Sequence, residues 1–402
     1  MTSKLKLTEN QLFSQIRVLK RNCTLVLFTL LAATSFASHD TIAAHQATTE
    51  SHSDKEEHGQ KFNAGEMIIH HITDAHEIHF FTLHEGKANE SHYSIYLPII
   101  LKDETGIKCF SASHFYHNKR EIVQGEKHLH YYEHDGYILF GEKIYKAENT
   151  SSIVFGKDGK ISNASVLDLS PTKSVVGMFI TILILLGLFG SAARKYNKNP
   201  NMAPNGIQGL LEPLVIFIRD EVVIPAIGPK HAHRFMPFLL TTFFFIWVAN
   251  LLGMIPVIGG FNIMGTLGVT LVLASVVFII TTVNGKGFYW THIMWPHGVP
   301  FLVKLILVPI EIIGIFMKPL VLMIRLTANM TAGHIIFLAL TALIFIFGQG
   351  SAVAGYSVGA GSVLFMVFMY FIELLVAFLQ AYVFTLLAAS YFGAALEEPQ
   401  HH

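Results

Sequence analysis

Hydrophobic and polar residues fall into three regimes along the chain. Up to residue 37, Lys4, Lys6, Arg17, Lys20 and Arg21 precede an apolar run from Cys23 to about Ala33, and Ser35-Phe36-Ala37 puts small residues where cleavage would occur. That order predicts a secretory signal peptide over residues 1–37. The apolar run is about half of the ~20 residues a spanning helix needs, and a short first transmembrane helix is the competing reading.

Residues 38–173 are polar. Residues 38–58, rich in His, Ser, Thr and Glu, have too few apolar positions to order. Short apolar runs follow at 78–83, 93–97, 137–140 and 152–155. His134-Asp135-Gly136 and Lys157-Asp158-Gly159 supply turn signals between such runs. A small β-rich domain results. From Ser174 the pattern is almost uniformly apolar, in blocks at 174–193, 235–256, 265–283, 300–347 and 357–392. Residues 206–228 mix apolar positions with Glu212, Arg219, Asp220 and Glu221, which predicts an interfacial helix. The fold class is therefore an all-α polytopic membrane protein of about five crossings, with a β-rich N-terminal domain outside the bilayer. The last two blocks exceed ~20 residues and must tilt or bend. Arg194-Lys195-Tyr196-Asn197-Lys198 closes the first span, which puts that end in the cytoplasm by the positive-inside rule. Residues 38–173 then lie in the periplasm, and five crossings leave the C-terminus of the membrane domain (174–402) cytoplasmic.

Composition agrees. Of the 402 residues 52% are hydrophobic and only 14% charged, against about 25% charged in soluble proteins. The formal net charge of zero conceals a split. Residues 38–173 hold 13 basic and 20 acidic residues, and 174–402 hold 10 basic and 7 acidic. No basic patch suggests nucleic acid, and no nucleotide-binding glycine motif or cofactor motif occurs. Cys23 and Cys109 are too few for a disulfide framework.

Charges inside the fourth apolar block carry the functional signal. Lys304, Glu311, Lys318 and Arg325 recur every seven residues, within ~20° of one helical face per repeat. A charge in mid-bilayer costs at least ~2.5–3.5 kcal/mol and marks function by default. Lys304 is close enough to the helix end to snorkel. Glu311 and Lys318 read either as a structural ion pair or as part of a pathway. Arg325 is too deep to snorkel from a helix end, and its guanidinium stays protonated, a fixed positive charge that marks a functional role. On the last block Glu373 and Gln380 are also seven apart. His334 lies nine residues after Arg325, about 180° round the helix. His334 and Glu373 suit a proton relay; a buried structural histidine is the alternative.

At these residues the chain resembles subunit a of the rotary F-type ATP synthase. Arg325-Leu326-Thr327-Ala328-Asn329-Met330-Thr331-Ala332-Gly333-His334 is similar to that family's signature, with Asn329 four residues after the arginine. Glu311, Lys318-Pro319, Asn250-Leu251, Pro256 and Leu379-Gln380-Ala381-Tyr382 also fit. The two ionisable types at His334 and Glu373 look exchanged relative to some members. Residues 38–173 look like the extended, His-rich form of Bacteroidota-type bacteria. The resemblance implies a non-catalytic, proton-translocating subunit without a cofactor, whose partners are a ring of c subunits, the subunit b stalk and lipid. Arg325, Asn329, His334, Glu373 and Gln380 would serve two half-channels, with Glu311, Lys318 and Asn250 on the path or holding helices together.

An ion-coupled secondary transporter with an external metal-binding domain is the alternative function, although no internal repeat of the kind such carriers show is evident. Residues 38–173 hold 15 of the 22 histidines. His70, His71, His76 and His79 form one candidate metal group. His128, His130 and His134 form another, of which His128 and His130 share a face in a strand. A solvated, buffering surface composition is the competing reading.

Overall fold

The computed structural model describes residues 65, 68, 72–83, 91–104, 106–116, 118–124, 127–147, 153, 161, 163–198, 203–255, 260–295 and 300–397. The expected signal peptide, His70, His71 and the 157–159 turn lie outside these residues, as does all of the 152–155 run except Ile153, which is buried and outside any strand.

The N-terminal region is three small antiparallel sheets. Strands β1 (Glu77–Leu83) and β2 (Ser91–Tyr96) pair alone. Strand β3 (Pro98–Asp103) lies between β4 (Gly106–Ser111) and β9 (Leu167–Asp168). Strands β5 (Lys119–Gln124), β6 (Lys127–His134), β7 (Tyr137–Phe140) and β8 (Lys143–Lys146) form a meander. Asp135 and Gly136 (φ 46° and 79°) make the two-residue turn from β6 to β7, the geometry whose twist matches that of the flanking strands. Gly141 and Glu142 repeat it between β7 and β8. Ile99 and Leu101 alternate inward from β3 and meet Phe115 of the short helix α1 (Ser113–Tyr116), Tyr137, Leu139 and Ile144.

Among the described residues five helices are long and apolar enough to cross a membrane. They are α2 (Lys173–Lys198), α5 (Pro229–Gly253), α6 (Leu267–Asn284), α8 (Phe301–Gly350) and α9 (Ala352–Leu396). The interfacial segment is α3 (Ile207–Phe217), a wider π-helical turn (Ile218–Val223) and α4 (Ile224–Ile227). The sequence suggested one helix there; the widened turn presents Arg219 and Asp220 as an ion pair of 2.7 Å. Helix α7 (Gly287–Met294) joins α6 to α8.

Helix α5 is the hub. Phe235, Phe243, Phe244 and Ile246 are buried where it packs against α2, α4 and α9, with Phe189 and Phe392 packed on its aromatic side. Helices α8 and α9 form a long antiparallel hairpin. With 1.5 Å per residue they run about 75 and 68 Å, more than twice a ~30 Å hydrocarbon core, and must cross obliquely. At its tip a Cβ on Gly355 would meet Gly348 Cα at 2.7 Å, so glycine permits the close return. Much of this hairpin's apolar surface is open, including Ile313, Phe316, Ile324, Leu364, Phe368 and Phe371.

The β region is fastened to the N-terminal end of α2. Lys173 N–H donates to Ala75 O at 3.0 Å, and Ser174 N–H to Asp74 Oδ1 at 2.9 Å. That carboxylate satisfies an orphan amide of the first helical turn and faces the positive end of the helix dipole. Ile78 and Leu97 join the same apolar core as Met178 and Ile182.

Candidate functional site

The helix face that the seven-residue spacing marks is not uniform. Arg325 lies on the open side of α8 with Ile324, Ala328 and Asn329, all exposed, while Leu322, Leu326 and Met330 are buried behind it. Among the described residues no carboxylate lies within ion-pair distance of Arg325. Glu311 and Lys318 are half-buried and make no ion pair with each other; seven residues separate them by about 10 Å along the axis. The Lys318 ammonium sits 5.4 Å over the Tyr391 ring, in a crevice lined by Thr281, Thr282, Tyr289 and Leu322. Lys304 is 4.4 Å over Trp295 near the start of α8, a snorkelling geometry.

The titratable groups on the opposite side converge. Glu373 of α9 is buried and its Oε1 has no hydrogen-bond partner. Its carboxylate lies against Gly333, so close that a Cβ at that position would overlap it. His334, the next residue of α8, holds a buried, unpartnered Nε2 beside Gly253 at the end of α5. Two orphaned polar atoms on neighbouring residues are costly unless water or a moving proton serves them. Two turns further along α9, Gln380 is also buried; the pairing of Gly333 with Glu373 brings it level with Leu326, beside Arg325. Between them Asn250 of α5, fully buried, donates from Nδ2 to Ala377 O at 3.3 Å, leaving its Oδ1 unpartnered. Glu373, Ala377 and Gln380 thus form one inner stripe of α9, facing Gly333 and Asn250.

Three further features were missed in the sequence. Asn262, between α5 and α6, is 4% exposed with an unpartnered Oδ1. Thr270 and Thr327 share a hydrogen bond of 2.7 Å between α6 and α8. Tyr370 O–H donates to Met254 O at 3.3 Å. Their one signal is a polar residue in an apolar run, too common for threonine and tyrosine to single them out.

Among the described residues no three His, Cys, Asp or Glu side chains are placed to hold a metal ion. His76, 2% exposed, meets Asp168 Oδ2 at 3.1 Å through Nε2 and Glu142 at 3.7 Å through Nδ1. Burial opposes its charge, but the hydrogen bonds and charges of Asp168 and Glu142 outweigh that and raise it to about 10. His79 pairs with Ser94 Oγ at 3.3 Å. His76 thus serves as an ion-pair partner and His79 as a hydrogen-bond partner. The sheet places His128 and His130 two apart on β6, opposite Val123 and Glu121, and His130 Nδ1 is buried without a partner.

Comparison with known proteins agrees with the arrangement in the membrane. Residues 175–393 match the family model described as ATP synthase A chain, and residues 67–169 match a domain of unknown function. The chain is 43% identical over 240 residues to an ATP synthase subunit a of Chloroherpeton thalassium, covering 58% of this chain and 69% of that one. It is 41% identical over 250 residues to that of Myxococcus xanthus, covering 59% and 76%. An arginine on an open apolar face, backed by an acid oxygen and an imidazole nitrogen buried without partners, therefore sits in a chain that belongs to the ATP synthase A chain family.

Proposed function

We propose that this chain is the proton-translocating stator subunit of the ATP synthase membrane sector, a non-catalytic component that couples proton flow to rotation. The observation that carries the reading is the division of the α8–α9 hairpin: Arg325 exposed on the open face, and Glu373 Oε1 and His334 Nε2 buried without partners behind it. The open apolar surface of the α8–α9 hairpin fits a ring of c subunits as partner, and the family reading adds the subunit b stalk. As a ring carboxylate passes Arg325, the guanidinium favours its ionised form and drives off the proton. The same charge repels a proton that would leak directly between the two half-channels. His334, Glu373 and Gln380 line the outer half-channel, with Asn329 at its junction with the ring face. Asn250 holds α5 to α9 at Ala377. Lys318 and Glu311 belong to the cytoplasmic side, beside the Thr281–Tyr391 crevice. Each charge crossing 100 mV contributes about 2.3 kcal/mol, so several crossings serve each ATP.

The same reading divides the chain into a signal peptide (1–37), a periplasmic domain (38–173) and a membrane domain (174–402). Lys195 and Lys198 at the end of α2, and Lys286 between α6 and α7, support a cytoplasmic side for those ends and for the C-terminus of α9.

In inverted membrane vesicles Glu373→Gln is expected to slow ATP-driven proton pumping by at least about tenfold, the lower range of a lost acid–base group. Pumping at the parental rate from normally assembled complexes would remove Glu373 from the path.

A further inference from the structure

The segment that no family function covers meets the membrane domain where its outer half-channel opens. Glu77, the first residue of β1, is 7% exposed. Lys173, the first residue of α2, is 6% exposed, and its amide donates at 3.0 Å to the carbonyl of Ala75, two residues before Glu77. Beside it Asp74 accepts from the Ser174 amide, and Ser174 Oγ shares a 2.7 Å hydrogen bond with Thr266 Oγ1. Thr266 O–H donates to Asn262 O at 3.1 Å. Asn262 Oδ1, His334 Nε2 and Glu373 Oε1 then follow as three buried atoms without partners. Polar groups thus recur from the β region, through the hydrogen-bonded Asp74–Ser174–Thr266–Asn262 run, toward the unpartnered atoms of His334 and Glu373.

We propose that the external β domain is part of the ion path, with Glu77 collecting protons at its mouth and the Asp74–Ser174–Thr266–Asn262 seam leading them to His334. This rests on the half-channel reading above. In the step itself the Glu77 carboxylate takes a proton from hydronium or a buffer acid on the outer side and becomes the neutral acid. It returns that proton to water in the seam and is again a carboxylate, so no other reactant is needed. The surroundings suit the exchange. Burial, and next the charge of Glu142, push Glu77 up to about 7, against the pull of its hydrogen bond to Ser94 and the charge of Lys173. Tyr96 and Tyr116 also face it, both held neutral by burial first and by the carboxylates second. The neighbouring His76 is kept cationic by Asp168 and Glu142, and so leaves Glu77 as the carboxyl that changes charge near neutrality.

The test uses the full chain in the assembled synthase, in inverted vesicles whose lumen is the outer side. Glu77→Gln is expected to lower ATP synthesis three- to tenfold and to displace its dependence on lumenal pH, while Glu77→Asp keeps more than half the rate. Parental rate and profile in Glu77→Gln, alongside a loss in Glu373→Gln, would overturn the external path and leave the channel reading standing. Parental rates in both variants would overturn both. Should Glu77→Gln fail to assemble, Ser94→Cys in a Cys23→Ser, Cys109→Ser background gives the answer. A bulky membrane-impermeant maleimide, applied to spheroplasts before inverted vesicles are made from them, should react there and cut pumping at least fivefold relative to the background. Failure to react, or reaction without loss of pumping, would contradict the proposal.

Discussion

Gly333→Ala tests the contact on which the outer half-channel turns. A Cβ at Gly333 falls inside van der Waals contact with Glu373 Oε1 and reaches its Cδ at 2.9 Å and Cγ at 3.5 Å. Since comfortable carbon contacts begin near 3.5 Å, the carboxylate must retreat by about an ångström or more. The obstructed group is the tip of a flexible side chain, so the fold yields at the low end of the ~1–3 kcal/mol range for overpacking. Alanine's helix propensity returns up to ~1 kcal/mol of that. Assembly should therefore be near normal. Proton transfer is less forgiving, because a misplacement of about 1 Å costs on the order of 10²-fold in a positioned reaction. Gly333→Ala is expected to reduce ATP-driven pumping ten- to a hundredfold, with the amount of assembled complex within twofold of the parent. Glu373→Asp shortens the acid and should restore part of the rate in the double variant. Gly187→Ala, where a methyl meets nothing within 4 Å, is the control. Parental pumping in Gly333→Ala would refute the placement of Glu373 on the path; loss of the complex itself would show the contact to be structural.

Two other perturbations address the fold. His76 has a raised pKa in the folded protein, so its contribution to docking the β domain is complete below about pH 6.5 and is lost as pH rises through about 10. Hydrogen exchange at β1 and β9 should accelerate between pH 8 and 10.5 beyond the intrinsic rise, and His76→Ala should show that acceleration already at pH 7; unchanged protection in both would contradict it. At the inner end a Cβ on Gly393 would overlap the backbone carbonyl of Ala226, which cannot swing aside. Gly393→Ala should separate α9 from α4 at a cost of about 1–3 kcal/mol, read as a lower melting temperature of the solubilised complex, with an unchanged melting point as the refuting result.

The membrane helices were legible because long apolar runs bounded by Lys and Arg have few other readings; the start of α2 differs by one residue from the expected 174. The Asp135-Gly136 turn was equally legible, since two positive φ angles narrow the residue choice. Strands β3 to β6 were not. Pro98, the Lys108 and Cys109 of a half-exposed sheet, and the alternating charges of β5 and β6 dilute the period-two signal. Spacing put Lys304, Glu311, Lys318 and Arg325 on one face, but only packing could divide them, sending Lys304 to Trp295, Lys318 to Tyr391 and Arg325 to the open side. It likewise could not tell that Asn262, in a connection rather than a helix, shares a buried neighbourhood with His334. Nor does the isolated β1 sequence reveal that Ile78 belongs to the membrane domain's core.

The central claim concerns Arg325. It is a lone cation on the hairpin's open face, and the account makes it the charge that discharges the ring carboxylate and bars the leak. Pumping by inverted vesicles carrying Arg325→Ala measures this directly. The account predicts that ATP-driven acidification is abolished while ATP hydrolysis by the attached soluble sector continues. Acidification at a near-parental rate would contradict it.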